Sequence, residues 1–420
     1  MTQAFPEDRA APARSRAVPP PTAAPPVTLG DRPSLEGPAR PPRGALLVDH
    51  ELAALCGSQI REVRGASEIR AAQRQPASLD LRLGPVAHRI RAGFLPGAVP
   101  LAERLAELEL ERLSLEPGAV LERGSVYLVP LDEELALEPG LAATFNPRSS
   151  AGRCDLFTRV LAPGHPRFNE APAGYRGPLW LEVAPLSFSV RLSRGDRLCQ
   201  MRLARGDAAL SREELLLEHR REPLCWSGDA PISEQSLRLS DDGSLELSLG
   251  LSGRDPCGWR AREGAHAIED FFDPIRCTPS GPRNTGGTGR VVVGHSILPP
   301  GAFSIFASRE RVVVPPHLAA EMLPVDPGLG ELRNNYAGFF DSGFGWRRAG
   351  ESGRRGTTAV LEVRAHDVPF LVEDGQVFFR LRYFRTSGAP ERIYGEGRAG
   401  ASYREQDLKL ARAFREGAPA

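Results

Sequence analysis

The chain has 420 residues, 41% of them hydrophobic, which is enough to build one large domain or two with real cores. Its formal net charge is zero and it has no polybasic run, so no electrostatic footprint for nucleic acid or an anionic membrane surface is present. No stretch approaches about eighteen apolar residues and no charged-then-apolar leader opens the chain, a pattern that predicts a cytoplasmic protein.

In chain order, residues 1–43 are rich in Pro, Ala and Arg without an apolar period, the composition of a disordered tail. From Ala45 to about Arg74 the pattern predicts short amphipathic helices, one capped by Asp49 over HELAALC and a second capped by Ser67. Strands dominate after that. QPASLDLRLG (Gln75 to Gly84) alternates Leu79, Leu81 and Leu83 with Ser78, Asp80 and Arg82, the two-residue period of a half-buried strand. VLERGSVYLVPL, ELALEPGLAATF, LWLEVAPLSFSVRL and DRLCQMRL continue the series between Gly and Pro turns, and Gln200 in the last reads as a buried hydrogen-bonding residue. SREELLLEHRR (Ser211 to Arg221) then predicts a helix with Ser211 as cap and Glu214 completing a capping box. Many short strands with few helices predict a mainly β body of barrel or jelly-roll type.

The second half of the chain echoes the first. SLELSLG (Ser244 to Gly250) follows SLDLRLG (Ser78 to Gly84), and PHLAAEMLP (Pro316 to Pro324) follows PGLAATFNP (Pro139 to Pro147). LEV recurs at Leu181 to Val183 and Leu361 to Val363, with Gly195 or Gly375 and then Arg202 or Arg382 at matching distances. These matches predict two homologous β domains, 44–222 and 236–420, joined by a linker at 223–235. The copies differ in one place above all. Arg148, Ser149 and Ser150 of the first are replaced by Val325, Asp326 and Pro327 in the second, which also carries a C-terminal segment with Ser402 as a candidate helix cap and the makings of a lid.

The chemistry-bearing residues concentrate in NPRSSAGRCDLFTRV (Asn146 to Val160). Arg148 and Arg153 can bind phosphate oxygens through planar forks, and Ser149 and Ser150 add hydroxyl donors. Six cysteines without C-x-x-C spacing read as reduced thiols, with Cys154 a small buried hydrophobe. The eight histidines contain no pair at helical zinc-ligand spacing, and the single lysine, Lys409, follows no phosphate-cradling glycine loop. NTGGTGRVVVG (Asn284 to Gly294) precedes a strand instead of following one, and so does not read as a phosphate loop.

Taken together, QPASLDLRLG, RSSAGR, the Gly174 to Gly177 turn and LWLEV with Glu182 resemble the dCTP deaminase and dUTPase superfamily in order and spacing, over most of the first half. NYAGFFDSGFG (Asn335 to Gly345) and VLEV extend the likeness to the second half, as in a long two-repeat form. dUTP-hydrolysing members carry an aspartate on the turn before this strand, where AGYRG has no acid. Glu182 instead matches the glutamate that deaminases use at cytosine C4. The resemblance implies two tandem dUTPase-like distorted β-barrel or jelly-roll domains with short helices. It implies hydrolytic deamination of dCTP to dUTP and ammonia, feeding dUMP and dTTP synthesis, without zinc and with Mg²⁺ bound through the triphosphate. It further implies a homotrimer with sites between subunits.

In that scheme Glu182 shuttles the protons, Arg153 holds it ionised and Ser149 bonds the attacking water. Arg148, Ser150, Thr158 and Arg159 contact the nucleotide. Tyr394 lies near the phosphates or base, and Gln406, in SYREQ, faces the nucleotide. Glu362, with no donor cluster in its own repeat, reads as structural. Two rivals stand beside this reading: a dUTP diphosphatase or bifunctional enzyme, and a nucleotide-binding regulator without catalysis.

Overall fold

The alternation after Gln75 is realised as strands whose apolar positions turn inward. In chain order the elements that position the site are α1 (Asp49–Leu55), β1 (Ser78–Leu81), α2 (Leu101–Leu108), β2 (Val126–Ala136), β3 (Leu141–Pro147), α3 (Ser149–Gly152), β4 (Leu156–Leu161), β5 (Arg176–Pro185) and β6 (Cys199–Arg205). They continue with α4 (Arg212–Arg221), β7 (Leu245–Ser248), β8 (Phe303–Val312), β9 (Leu318–Pro324), β10 (Thr357–Ala365) and β11 (Val377–Arg385). This is a computed structural model, and it describes residues 44–97, 99–262, 271–279, 283–284, 290–291, 294–324, 332–334, 338–348, 350–365 and 367–396, with Leu408, Leu410 and Phe414. All of these belong to one unit, Pro42–Ala420; the segment read as a tail, 1–43, lies outside the described residues.

Four large sheets are present among the described residues. The first runs Glu170–Ala171, β3, β6, β1, Arg74–Gln75, with Ala45–Leu46 added on β6; the second runs β4, β5, β2, Val86–Ile90, Glu109–Ser114, with Ile60–Glu62 on β2. The third is built on β8 and β10, and the fourth runs β7, β11, β9, Phe339–Phe340. The expected pair of dUTPase-like barrels or jelly rolls is corrected by this layout: the chain is mainly β with few short helices, arranged as a four-bladed β-propeller, and each large sheet follows an open path. Alternation identifies a strand and its inward face, but it carries no information on how sheets close or group, which is why the sequence pattern missed this level.

The pairing itself recurs between the halves. β6 lies between β1 and β3 with Gln200 opposite Asp80, and β11 lies between β7 and β9 with Arg380 opposite Glu246. A buried glutamate braces each copy: Glu133 Oε2 accepts from Arg82 N at 2.8 Å, and Glu310 Oε2 accepts from Ser248 N at 2.7 Å. Leu79, Leu81, Val129, Phe145, Leu181 and Met201 form one apolar core, and Leu245, Leu247, Met322, Leu361, Phe379 and Leu381 another. Each such side chain removed from water stabilises the fold by about 1.5–3 kcal/mol, so the inward phase of every strand is strongly fixed.

Local expectations fare unevenly. α4 has its capping box, Glu214 N donating to Ser211 Oγ at 3.3 Å and Ser211 N to Glu214 Oε2 at 2.9 Å. Asp49, by contrast, is the first residue of α1 and its buried carboxylate accepts from the backbone N–H groups of Glu391 and Arg392, tying down the chain's approach to its C-terminus. The helix expected after Ser67 is only a short 3₁₀ turn at Ala71–Gln73. The reading of all cysteines as reduced is also corrected: Cys257 and Cys277 form a disulfide. Antiparallel pairing of Gly258–Ala261 with Phe272–Ile275 brings them together, a proximity that linear spacing does not show.

Candidate active site

β3 delivers the donor segment. Pro147 ends the strand, Arg148 turns the chain, and α3 is a single turn, after which Asp155 takes a left-handed φ of 52° and launches β4. Arg148 leans on the fully buried Asp80 (Nε to Oδ1, 3.4 Å), whose carboxyl burial raises while Arg148 and Arg197 pull it back. Ser149 is exposed, Ser150 half-buried, and a Cβ at Gly338, in the second half of the chain, would stand 3.8 Å from the Ser149 hydroxyl oxygen.

The sequence sets Arg153 beside Glu182; the ion pair observed for it is with Glu362. Arg153 is 2% exposed and faces Glu362 on β10, Nε to Oε1 at 3.7 Å. Glu362 is itself buried, and burial pushes its carboxyl up to about 7, with Arg153 opposing the rise. Around the pair, Phe188, Phe272, Phe303, Ile305, Val360, Leu410 and Phe414 form an apolar cluster with Cys154 and Phe157 packed on it. Burial holds the Cys154 thiol up at about 12, so it is an inert filler there, as expected from sequence.

Glu182 lies on β5 opposite Arg159 on β4. Its Oε1 accepts from Arg159 Nε at 2.9 Å and Nη2 at 2.5 Å. Arg159 is held in turn over the Phe168 ring at 3.8 Å. Gly93 closes the other side: a Cβ there would stand 2.5 Å from Glu182 Oε2. Thr158 is buried in β4, Tyr394 packs against Phe344 at 5.4 Å between ring centres, and Gln406 and Ser402 lie outside the described residues. Gln200 donates to Asp80 Oδ1 at 3.1 Å, the bracing role expected of it.

Glu362, which the sequence reads as structural, is the carboxylate that Arg153 meets. The available signal was an asymmetry: both copies keep the LEV glutamate, while one alone keeps the donor cluster. Elsewhere, a 560 Å³ cavity is lined by Arg70, Arg82, Arg194 and Arg197. Three of those guanidiniums are already taken by Glu133, Asp132 and Asp80. No group of three or more His, Cys, Asp or Glu side chains that could hold a metal occurs among the described residues, and no described helix is long and apolar enough to cross a membrane.

A buried carboxylate beside a guanidinium, walled by aromatic and aliphatic side chains, can take up and release a proton. The chain belongs to the dCTP deaminase family of C–N hydrolases: the model of the 2'-deoxycytidine 5'-triphosphate deaminase N-terminal domain matches residues 43–207, and that of the C-terminal domain matches residues 212–414. It is 39% identical to the 2'-deoxycytidine 5'-triphosphate deaminase of Agrobacterium tumefaciens, whose crystal structure superposes with a TM-score of 0.70 over 83% of this chain and 99% of that one. A dCTP deaminase of Natronomonas pharaonis is 31% identical over 132 residues, which are 31% of this chain and 65% of that protein, less than two thirds of its length.

Proposed function

We propose that the chain hydrolyses dCTP to dUTP and ammonia, at a site made of Ser149 and Arg153 from the first half and Glu362 from the second. The observation that carries this reading is the Arg153 to Glu362 juxtaposition, with a carboxyl whose proton affinity sits near neutrality. A base poised near pH 7 can take a proton from water as its oxygen bonds to C4, then return it to the amino group as the C4–N bond breaks and ammonia leaves. Arg153 stabilises the ionised carboxylate at the start of that cycle, and the Ser149 hydroxyl can hold the attacking water. Leu410 and Phe414 complete an apolar wall that keeps bulk water from the reacting carbon.

Arg148 and Ser150 serve the triphosphate, which arrives with Mg²⁺ as part of the substrate, and the motif resemblance assigns Tyr394 and Gln406 to the same nucleotide. dUTP is the expected end product. Asp341, the acid on the turn of the second half, is taken up by Arg202 (3.3 Å) and the Ser78 hydroxyl (3.2 Å), and is not free to activate water at a phosphate. We place the reaction in the cytoplasm, with domains at 44–222 and 236–420 and a homotrimer as the working assembly.

A second reading keeps Glu182 as the proton shuttle, supported by its matching place on β5 and by the family motif. The test compares Glu362→Gln with Glu182→Gln, following ammonia release from dCTP and resolving dUTP from dUMP. Glu362→Gln is expected to lower kcat by about 10²–10⁴-fold while Glu182→Gln stays within a few-fold. The reverse pattern would transfer the role to Glu182, and release of dUMP would make the enzyme bifunctional.

A further inference from the structure

Two residues past each member of the Arg153 and Glu362 pair stand charges of opposite sign. Glu362 and Arg364 are two apart on β10, opposite Ile305 and Phe303 on β8, so both side chains leave the same face of the sheet. Arg153 and Asp155 bracket Cys154. Arg364 Nη2 donates to Asp155 Oδ2, and its Nη1 donates to the carbonyl of Gly301. The Asp155 carboxylate is fully buried and also accepts from the Ser187 hydroxyl at 2.5 Å. The two ion pairs thus run parallel across the junction of the halves, with polarity reversed.

From this geometry we propose that Asp155 and Arg364 are positioning residues, a clamp that sets the height of the donor segment over β10 and so fixes Arg153 on Glu362. The backbone supports the assignment. Asp155 adopts a left-handed conformation that is unfavourable for a non-glycine residue, and its carboxylate meets the junction directly after the turn carrying Arg153. With Asp155 also taking Leu186 N on its backbone carbonyl at 3.1 Å, the segment is pinned from its own half as well as from the other.

The proposal rests on Glu362 being the working base. Arg153 faces Glu362 and, one step along the same face, so does Arg364 with Asp155; β8 offers Phe303 and Ile305, the strand Leu332–Asn334 on the other edge of β10 sets Arg333 in register with Arg364, and Cys154 stays neutral. Burial raises the Glu362 carboxyl and Arg153 lowers it. If Arg153 drifts away, the carboxyl rises further and more alkaline conditions are needed to ionise the base.

The test measures kcat/KM for dCTP against pH in the full-length chain carrying Asp155→Asn, Arg364→Gln or Arg364→Lys. Asn keeps the left-handed turn accessible, and thermal unfolding confirms that each variant is folded. Asp155→Asn and Arg364→Gln are expected to move the acid limb upward by about one pH unit, with activity below that limb falling roughly tenfold. Arg364→Lys should restore the limb toward that of the parent chain. A purely structural salt bridge would lower the unfolding temperature and leave the limb in place, which would overturn the clamp. Full activity of Glu362→Gln would instead remove the reading beneath it, so the two failures are told apart.

Discussion

Glu182 and Glu362 occupy the same place in two copies of one strand pattern, and the surroundings make them different reagents. Glu182 has one oxygen committed to two short guanidinium bonds from Arg159, and the other faces Gly93, where only the absence of a Cβ leaves it room. Glu362 meets its arginine at a looser 3.7 Å within an apolar cluster, and its carboxyl rises to about 7. The Glu182 carboxylate meets an arginine of its own half, and the Glu362 carboxylate meets one from the other half. On the function proposed above, the first is a structural ion pair and the second a reactive one, and the difference lies in which half supplies the arginine.

That comparison breaks most sharply on a mixing experiment. Both Arg153 and Glu362 lie in one chain here, so a site formed within the chain cannot be rebuilt from two damaged chains. Arg153→Ala and Glu362→Gln chains, each expected to lose about 10²-fold or more in kcat, should remain inactive when coexpressed and purified together. Recovery of a sizeable fraction of parent activity in the mixed assembly would mean that Arg153 serves a neighbouring chain's glutamate.

A smaller effect sharpens the same contrast through stability. Glu362 binds its proton more tightly folded than unfolded, because burial lifts it from an ordinary 4.5 to about 7. Its contribution to stability is therefore fully present below about pH 4.5 and is lost as pH rises through 7, on the order of 1–3 kcal/mol. Glu362→Gln removes that liability and should unfold at a higher temperature than the parent at pH 8 while being nearly inactive. Glu182→Gln should move the other way by about 1–2 kcal/mol, since it leaves Arg159 short of its partner. Thermal melts from pH 5 to 8 check both signs, and two parallel destabilisations would refute the distinction.

Much of this was legible in the sequence at the level of segments and little at the level of partners. Arg148, Ser149, Ser150 and Arg153 stand out in the sequence as a concentration of donors, and the capping box at Ser211 and Glu214 is a local pattern that no tertiary contact overrides. The pairing of Arg153 with Glu362 spans the two halves, and comparison within a repeat assigns donors to the glutamate of their own repeat by default. The Cys257 to Cys277 disulfide and the grouping of sheets into blades were hidden for the same reason: both depend on which strands become neighbours, which alternation does not encode. Asp49 shows the converse, a residue with the right chemistry for a cap whose carboxylate is recruited by backbone more than three hundred positions away.

The mildest perturbation tests the Glu182 cage alone. Gly93 has no positive φ to protect, so its constraint is space: the Cβ of an alanine would stand 2.5 Å from Glu182 Oε2 and 3.3 Å from Arg159 Nη2. The carboxylate is the far end of a side chain and could swing away elsewhere, but here Arg159 grips its other oxygen and Phe168 backs Arg159. Gly93→Ala should therefore cost about 1–2 kcal/mol of stability as the pair is displaced, with kcat and KM for dCTP within about twofold of the parent. A folded Gly93→Ala protein that loses turnover as deeply as Glu362→Gln would show that the first carboxylate takes part in the reaction after all.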